Sequence, residues 1–129
     1  MVFDIDDFKA FNDGFGHAHG DEVLCFVAKT AKSLLPNDAI IARIGGEEFA
    51  VLQHFASAEH ALAQGRLLCD EIARQSLALF NQASKPVTIS LGVAYYPNGM
   101  RHNEIVDADK AMYQAKNQGK NGTVLHVID

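Results

Sequence analysis

The chain is expected to adopt an α/β (α+β) fold, a five-stranded mixed sheet flanked by helices. Three observations predict it. Segments of strand and helix periodicity alternate in the order β-α-α-β-β-α-β-α-β, the pattern of a sheet with helices packed against it. Near the centre, Gly45-Gly46 separates two apolar runs, a hairpin signal because both residues tolerate positive φ. Residues 87–94 alternate β-branched side chains and form the clearest strand.

Taken in order, residues 1–5 read as the end of a buried strand, and Asp7 to about Asn12 as a short helix with Phe8 and Phe11 on one face. The glycines at 14, 16 and 20 predict a loop, after which Asp21 caps a helix running to about Leu35. Val23, Leu24, Val27, Ala28, Ala31 and Leu34 give that helix its apolar stripe. Pro36-Asn37-Asp38 ends it. Residues 39–44 and 49–55 are the hairpin strands. Ser57 caps a helix that turns Ala61, Leu68, Cys69 and Ile72 inward. Residues 76–86 fit either an extension of that helix or a loop closing at Pro86. A last helix spans about 103–118, with Ile105, Ala108, Met112 and Ala115 inward and Gly119 as its stop. Residues 123–127 form a short final strand.

A chain of 129 residues is expected to be one domain, without internal repeats or linkers. It is 48% hydrophobic and 21% charged, as ordinary globular proteins are. The net charge of −5 argues against a nucleic-acid partner. It would also repel a nucleotide unless a divalent cation bridged the charges. Cys25 and Cys69 read as small buried thiols of a reducing compartment, and their spacing offers no structural zinc site. No apolar run approaches the length of a bilayer span, and Met1-Val2-Phe3 runs into Asp4 without a signal segment. A cytoplasmic protein, or the cytoplasmic part of a larger and membrane-anchored one, is expected, with no direct membrane contact in this segment.

Two acidic spots carry the chemistry. Asp4-Ile5-Asp6-Asp7 ends the first strand, and Glu47-Glu48 follows the glycine pair. If those strands are neighbours, Asp4 and Glu47 face each other. Carboxylates and a backbone carbonyl, completed by water and phosphate oxygens, describe a Mg²⁺ site. Such a site suits phosphoryl or nucleotidyl transfer. The helix opening at Asp6 to Phe8 offers N–H groups to a phosphate; an exposed acidic turn is the plainer reading of the same residues. Lys116 and Lys120 share a face at a helix C-terminus. There they complement the dipole, which alone would account for them; beside a triphosphate they would clamp its outer phosphates. Rival motifs fail: there is no P-loop, the glycines at 14, 16 and 20 miss the dinucleotide spacing, and in His17-x-His19-x-Asp21 the next position holds Glu22 where a zinc hydrolase wants histidine.

The segments "FDIDDFKAFNDGFGHAHGDEVL", "ARIGGEEFAVL", "VTISLGVAYYP" and "ADKAMYQAKNQGKN" together resemble the GGDEF domain of the diguanylate cyclase family over nearly the whole chain. The resemblance implies a palm-like sheet related to nucleotide cyclases and polymerases. It implies that two domains meet head to head as a homodimer, each with one GTP, and that each ribose 3′-hydroxyl attacks the α-phosphate of the other nucleotide to yield cyclic di-GMP and two pyrophosphates. Asp4 and the Ile5 carbonyl would bind Mg²⁺ or Mn²⁺. Glu47 would bind metal and take the hydroxyl proton; the family often has Asp here, and Glu is a common active variant. Asp6 is a candidate ligand for a second metal. Asn12 and Asp21 would hydrogen-bond guanine, with His17 nearby, and Gly45 and Gly46 would let the nucleotide lie on the backbone. The amides of Asp7 and Phe8, with Lys9, would hold phosphates. Lys116 and Lys120 match a basic pair on the terminal phosphates; the second is usually Arg, so a bidentate contact is lost.

The family's inhibitory product site, Arg-x-x-Asp, falls on Pro36 and Ala39 and is expected to be missing; Asp38 is one residue off. The family's opening helix and sensory or dimerising domains do not appear in this sequence either. A fragment, weakly active or silent alone, is therefore expected. The alternative function is a silent GTP-binding regulatory module controlling a partner domain.

Overall fold

The computed structural model describes residues 1–80, 86–99 and 103–129. Five strands, β1 (Val2–Ile5), β2 (Ile40–Arg43), β3 (Glu48–Leu52), β4 (Ile89–Tyr95) and β5 (Gly122–Val127), form one sheet in the order β2-β3-β1-β4-β5. The pairings are antiparallel except for β4 with β5, so the sheet is mixed as expected. The helices are α1 (Phe8–Phe15), α2 (His17–Leu34), α3 (Ala58–Leu79) and α4 (Glu104–Asn117).

Strand alternation sorts the core into two faces. Phe3 and Ile5 of β1, Phe49 and Val51 of β3 and Ile89, Leu91 and Val93 of β4 meet the apolar stripes of α2 and α3, where Val23, Val27, Ala31, Leu68 and Ile72 are buried. Phe3 stacks on Phe49 with ring centroids 5.2 Å apart. The opposite face belongs to α4, whose Ala108 and Met112 cover Val2. Gly92 faces α4; a Cβ there would lie 2.1 Å from the Ala108 carbonyl oxygen and 2.3 Å from the Met112 nitrogen. The helix backbone therefore rests directly on β4.

Four expectations are corrected. Residues 14–20 are not a loop: α1 runs through Phe15 and α2 begins at His17, with only Gly16, at φ 91°, turning the chain between them. Asp21 accordingly lies inside α2 rather than capping it. The hairpin glycines do not use positive φ, which among the described glycines occurs only at Gly16, Gly99 and Gly119. Their turn is closed instead by the Ile44 and Gly45 N–H groups donating to the Glu48 carbonyl, and by Arg43 Nε donating to the carbonyls of Gly45 and Gly46. Ile105 is 53% exposed rather than inward. Cys25 is exposed on α2, whereas Cys69 is buried and its thiol is pushed up to about 11, chiefly by burial. The open reading of 76–86 resolves toward helix as far as Leu79, and Ser76 Oγ then accepts from the Val87 N–H. Residues 81–85 of that stretch lie outside the described residues. Among the described residues, no helix is long and apolar enough to cross a membrane.

The first residue extends the ladder: Met1 donates from its amino group to the Val51 carbonyl and accepts from the Val51 N–H, each at 2.7 Å. A free amino group buried here has its pKa lowered from 8.0 to about 6 by desolvation. The unfolded chain then binds the extra proton between those values, so stability is fully present above pH 8 and is lost as pH falls through 6. At about 1.4 kcal/mol per unit, the loss is about 3 kcal/mol. Urea titrations of the 129-residue chain should show this fall. One added N-terminal residue, which converts the amine to an amide, should remove that part of it; equal slopes for both chains would refute the assignment.

Candidate functional site

The two acidic spots converge. In register, Asp4 sits opposite Glu48 on β3 and Ser90 on β4, and the Ile5 N–H donates to the Glu47 carbonyl at 3.2 Å. Asp4, Ile5 and Glu47 thus share neighbouring strand ends. Asp4 is 7% exposed. Its Oδ2 lies 2.6 Å from Lys116 Nζ, while its Oδ1 is buried with no hydrogen-bond partner. Burial pushes the Asp4 carboxyl up; Lys116 opposes this, and Asp6 and Glu47 add to the push. Glu48 is raised in the same way, first by burial and then by Asp109 and Asp4. One ammonium therefore faces several acids.

An orphaned, buried carboxylate oxygen beside a second acid is a place for a hard cation. Asp4, the Ile5 carbonyl and Glu47 offer oxygen donors of the type Mg²⁺ takes. Among the described residues, no three His, Cys, Asp or Glu side chains are grouped to enclose a metal. A cation held here would be completed by oxygens from outside the chain.

Asp6 is engaged differently. Its Oδ1 accepts from Ser90 Oγ at 2.6 Å; its Oδ2 accepts from Thr88 Oγ1 at 2.8 Å and from the Asn121 N–H at 3.0 Å. It ties the start of β4 to the turn after α4. In that turn Lys120 and Asn121 hold positive φ, 65° and 43°, conformations that persist in non-glycine residues only where surroundings enforce them. Lys120 Nζ lies 2.6 Å from Asp7 Oδ1, and Asp7 itself has φ 55° as the N-cap of α1. The hydrogen bond to Asp7 raises the Lys120 pKa. Thr88, Ser90 and Asn121 were not singled out from the sequence; only cross-strand register reveals them as partners of Asp6.

Phe8 is buried and anchors the first turn of α1, while Lys9 projects into solvent. Asn12 is half-buried, and its side chain fills the space left by Gly20, where a Cβ would lie 1.7 Å from Asn12 Oδ1. That oxygen is buried without a partner. Asp21 follows Gly20 and is exposed, and His17 is exposed at the start of α2. A Cβ at Gly46 would meet nothing within 4 Å, and one at Gly45 only Glu48 Cβ at 3.4 Å. The turn beside the acids therefore presents bare backbone. An open apolar cavity of about 840 Å³ lies elsewhere, beside Ile40, Leu52 and Tyr95, and none of these acids lines it.

The model of the family "Diguanylate cyclase, GGDEF domain" matches residues 1–122. Diguanylate cyclase A of Treponema denticola is 40% identical over 127 residues, covering 97% of this chain and 34% of that protein. The chain thus spans about a third of the length of the curated relatives it matches. Among solved structures, the GGDEF domain of DgcB from Caulobacter crescentus in complex with c-di-GMP superposes with a TM-score of 0.83 at 31% identity, covering 96% of this chain and 74% of that one. The active GGEEF domain of a diguanylate cyclase from Vibrio cholerae gives 0.81 at 31%, covering 99% and 81%.

Proposed function

Since this chain belongs to the diguanylate cyclase family of GGDEF domains, we propose that it binds GTP at the acidic ends of β1 and β3 and, paired with a second copy, joins two GTP into cyclic di-GMP. The observation that carries this reading is the meeting of Asp4 with the Glu47-Glu48 entry to β3, with the buried Asp4 Oδ1 left without a partner. The Vibrio cholerae domain described as active has the same Gly-Gly-Glu-Glu-Phe lettering in its name. A GTP-binding site of this kind works in the cytoplasm.

Asp4, the Ile5 carbonyl and Glu47 would hold Mg²⁺, or Mn²⁺ in its place, which when bound neutralises phosphate charge and acidifies an attacking hydroxyl. The exposed Asp21 carboxylate would accept from the N–H groups of guanine, with His17 on the same side, and the half-buried Asn12 would meet the base with its side-chain amide. Gly45 and Gly46 leave room for the nucleotide, while the N–H groups of Asp7 and Phe8, Lys9, Lys116 and Lys120 receive phosphate oxygens. Across the dimer, the 3′-oxygen of one ribose forms a bond to the α-phosphorus of the other GTP as the bond to the bridging oxygen breaks and pyrophosphate leaves. Glu47 accepts the hydroxyl proton. The second copy completes the reaction, because one domain presents one nucleotide. With Pro36 and Ala39 in place of Arg-x-x-Asp, no product inhibition acts through that surface. Asp6 serves from its three hydrogen bonds, and the acceptor position left on Oδ1 would be the one to ligate a second metal.

The test is an assay of the chain, and of the chain fused to a dimerising coiled coil, with GTP and Mg²⁺, cyclic di-GMP being read by mass spectrometry. Product from the fused form is expected, and Asp21→Ala should weaken GTP by roughly tenfold while leaving ATP within about twofold. GTP binding without product from either form would instead assign a silent regulatory module. Equal losses for both nucleotides would remove the guanine role of Asp21.

A further inference from the structure

Two cations were assigned to phosphate, yet both are paired with acids of the same site: Lys116 with Asp4 and Lys120 with Asp7, each at 2.6 Å. The pairs differ in surroundings. The Lys120 and Asp7 side chains are 44% and 67% exposed, so water screens them and either can be exchanged at little cost. Those of Lys116 and Asp4 are 29% and 10% exposed. A shielded carboxylate without a counter-charge is strongly disfavoured, and removing one partner of such a pair leaves the other uncompensated.

Lys116 is held there by the fold. It lies one turn beyond Met112 on α4, the helix whose backbone rests on Gly92. That close seat brings the ammonium down onto β1, against the same carboxylate whose other oxygen is orphaned.

We propose that Lys116 is an exchangeable placeholder on Asp4, so that divalent metal and triphosphate bind cooperatively. This rests on the reading of the acidic strand ends as the GTP site, and adds how that site fills. Metal arriving alone must share a shielded carboxylate with an ammonium, and like charges oppose each other there. Triphosphate arriving alone must draw Lys116 from Asp4 and leave a bare carboxylate facing phosphate oxygens. Only when both arrive is every charge paired again, with metal on Asp4 and Lys116 on phosphate. Lys116 is thus a positioning residue while it pairs with Asp4 and a binding residue once it pairs with phosphate. The coupling is reciprocal by linkage, since each ligand must favour the other by the same factor.

The experiment measures Mn²⁺ binding to the 129-residue chain without nucleotide, by electron paramagnetic resonance, in wild type, Lys116→Met, Lys116→Arg and Asp4→Asn. Lys116→Met keeps the aliphatic stem and removes the charge; it should bind Mn²⁺ alone about tenfold tighter than wild type, within the usual range of coupling between sites. Lys116→Arg retains the charge and should stay near wild type. At saturating Mn²⁺, Lys116→Met should bind a non-hydrolysable GTP analogue more weakly than wild type. Unchanged or weaker Mn²⁺ binding in Lys116→Met, with binding lost in Asp4→Asn, would overturn the placeholder and leave the GTP site standing. Mn²⁺ binding that survives Asp4→Asn undiminished would overturn the site itself. Should Lys116→Met fail to fold, the lysine ammonium resonance of wild type decides the matter. It should move on adding Mg²⁺ with the analogue together and stay in place with either alone at the same concentration; movement with Mg²⁺ alone would refute the coupling.

Discussion

Glu47→Ala should lower cyclic di-GMP formation by the dimer-fused chain about 10³-fold or more, with the folded state intact. The size follows from two losses at one position: a proton acceptor contributes typically 10²–10⁴-fold, and a metal-facing oxygen disappears with it. The fold is spared because the structural contact of Glu47 belongs to its backbone, whose carbonyl accepts from the Ile5 N–H. Its side chain is half-exposed, so truncation opens no core cavity. Circular dichroism and the thermal midpoint should match wild type while product falls. Turnover above about a tenth of wild type would remove Glu47 from the chemistry. Glu48 is a useful contrast. Its carbonyl closes the turn by accepting from Ile44 and Gly45, and it pairs in register with Asp4.

The fold was legible wherever local pattern and tertiary context agree. β4 alternates Ile89, Leu91 and Val93 toward one core with Ser90, Gly92 and Ala94 toward α4, and period two alone exposes it. The apolar stripes of α2 and α3 were equally plain. Glycines misled where their role is spatial. Gly14 lies within α1, Gly20 is buried so that Asn12 can pack on it, and only Gly16 turns the chain; three glycines in one stretch nevertheless read as a loop. The hairpin pair was located correctly for a reason the structure does not use, since Arg43 and the Glu48 carbonyl close the turn.

At the site, the residue types and spacings could be read, and so could the pairing of β1 with β3, but the register sets Asp4 opposite Glu48 and puts Ile5, not Asp4, against Glu47. The ion pairs could not. Nothing in the spacing of Lys116 relative to Asp4 shows that one covers the other, because that contact depends on how closely α4 sits on β4. Asp6 was a candidate metal ligand through the family resemblance, whereas its partners Thr88, Ser90 and Asn121 come from the far end of the chain. Long-range hydrogen bonding of this kind leaves no periodic signal.

That closeness of α4 makes Gly92 the position where one methyl group matters most. Gly92→Ala places a Cβ 2.1 Å from the Ala108 carbonyl oxygen, 2.3 Å from the Met112 nitrogen and 2.9 Å from the Ala111 carbonyl carbon. All three are helix backbone atoms, so no rotamer change relieves the contact, and α4 must lift off the sheet. Overpacking of well-packed interiors costs about 1–3 kcal/mol and occasionally more. A rigid backbone neighbour on a central strand puts this case at about 3 kcal/mol or above, with the thermal midpoint lowered by roughly 10 °C. The displacement also carries Lys116 away from Asp4. Gly92→Ala should therefore lose triphosphate affinity at temperatures where it remains folded, whereas an equally destabilising core variant such as Ile72→Ala, on the far face of the sheet, should not. Unfolding curves and binding of a fluorescent GTP analogue, compared for the two variants, separate these effects. A midpoint within about 2 °C of wild type would mean that the helix is free to shift over β4, and that its close seat is not what holds the ammonium in place.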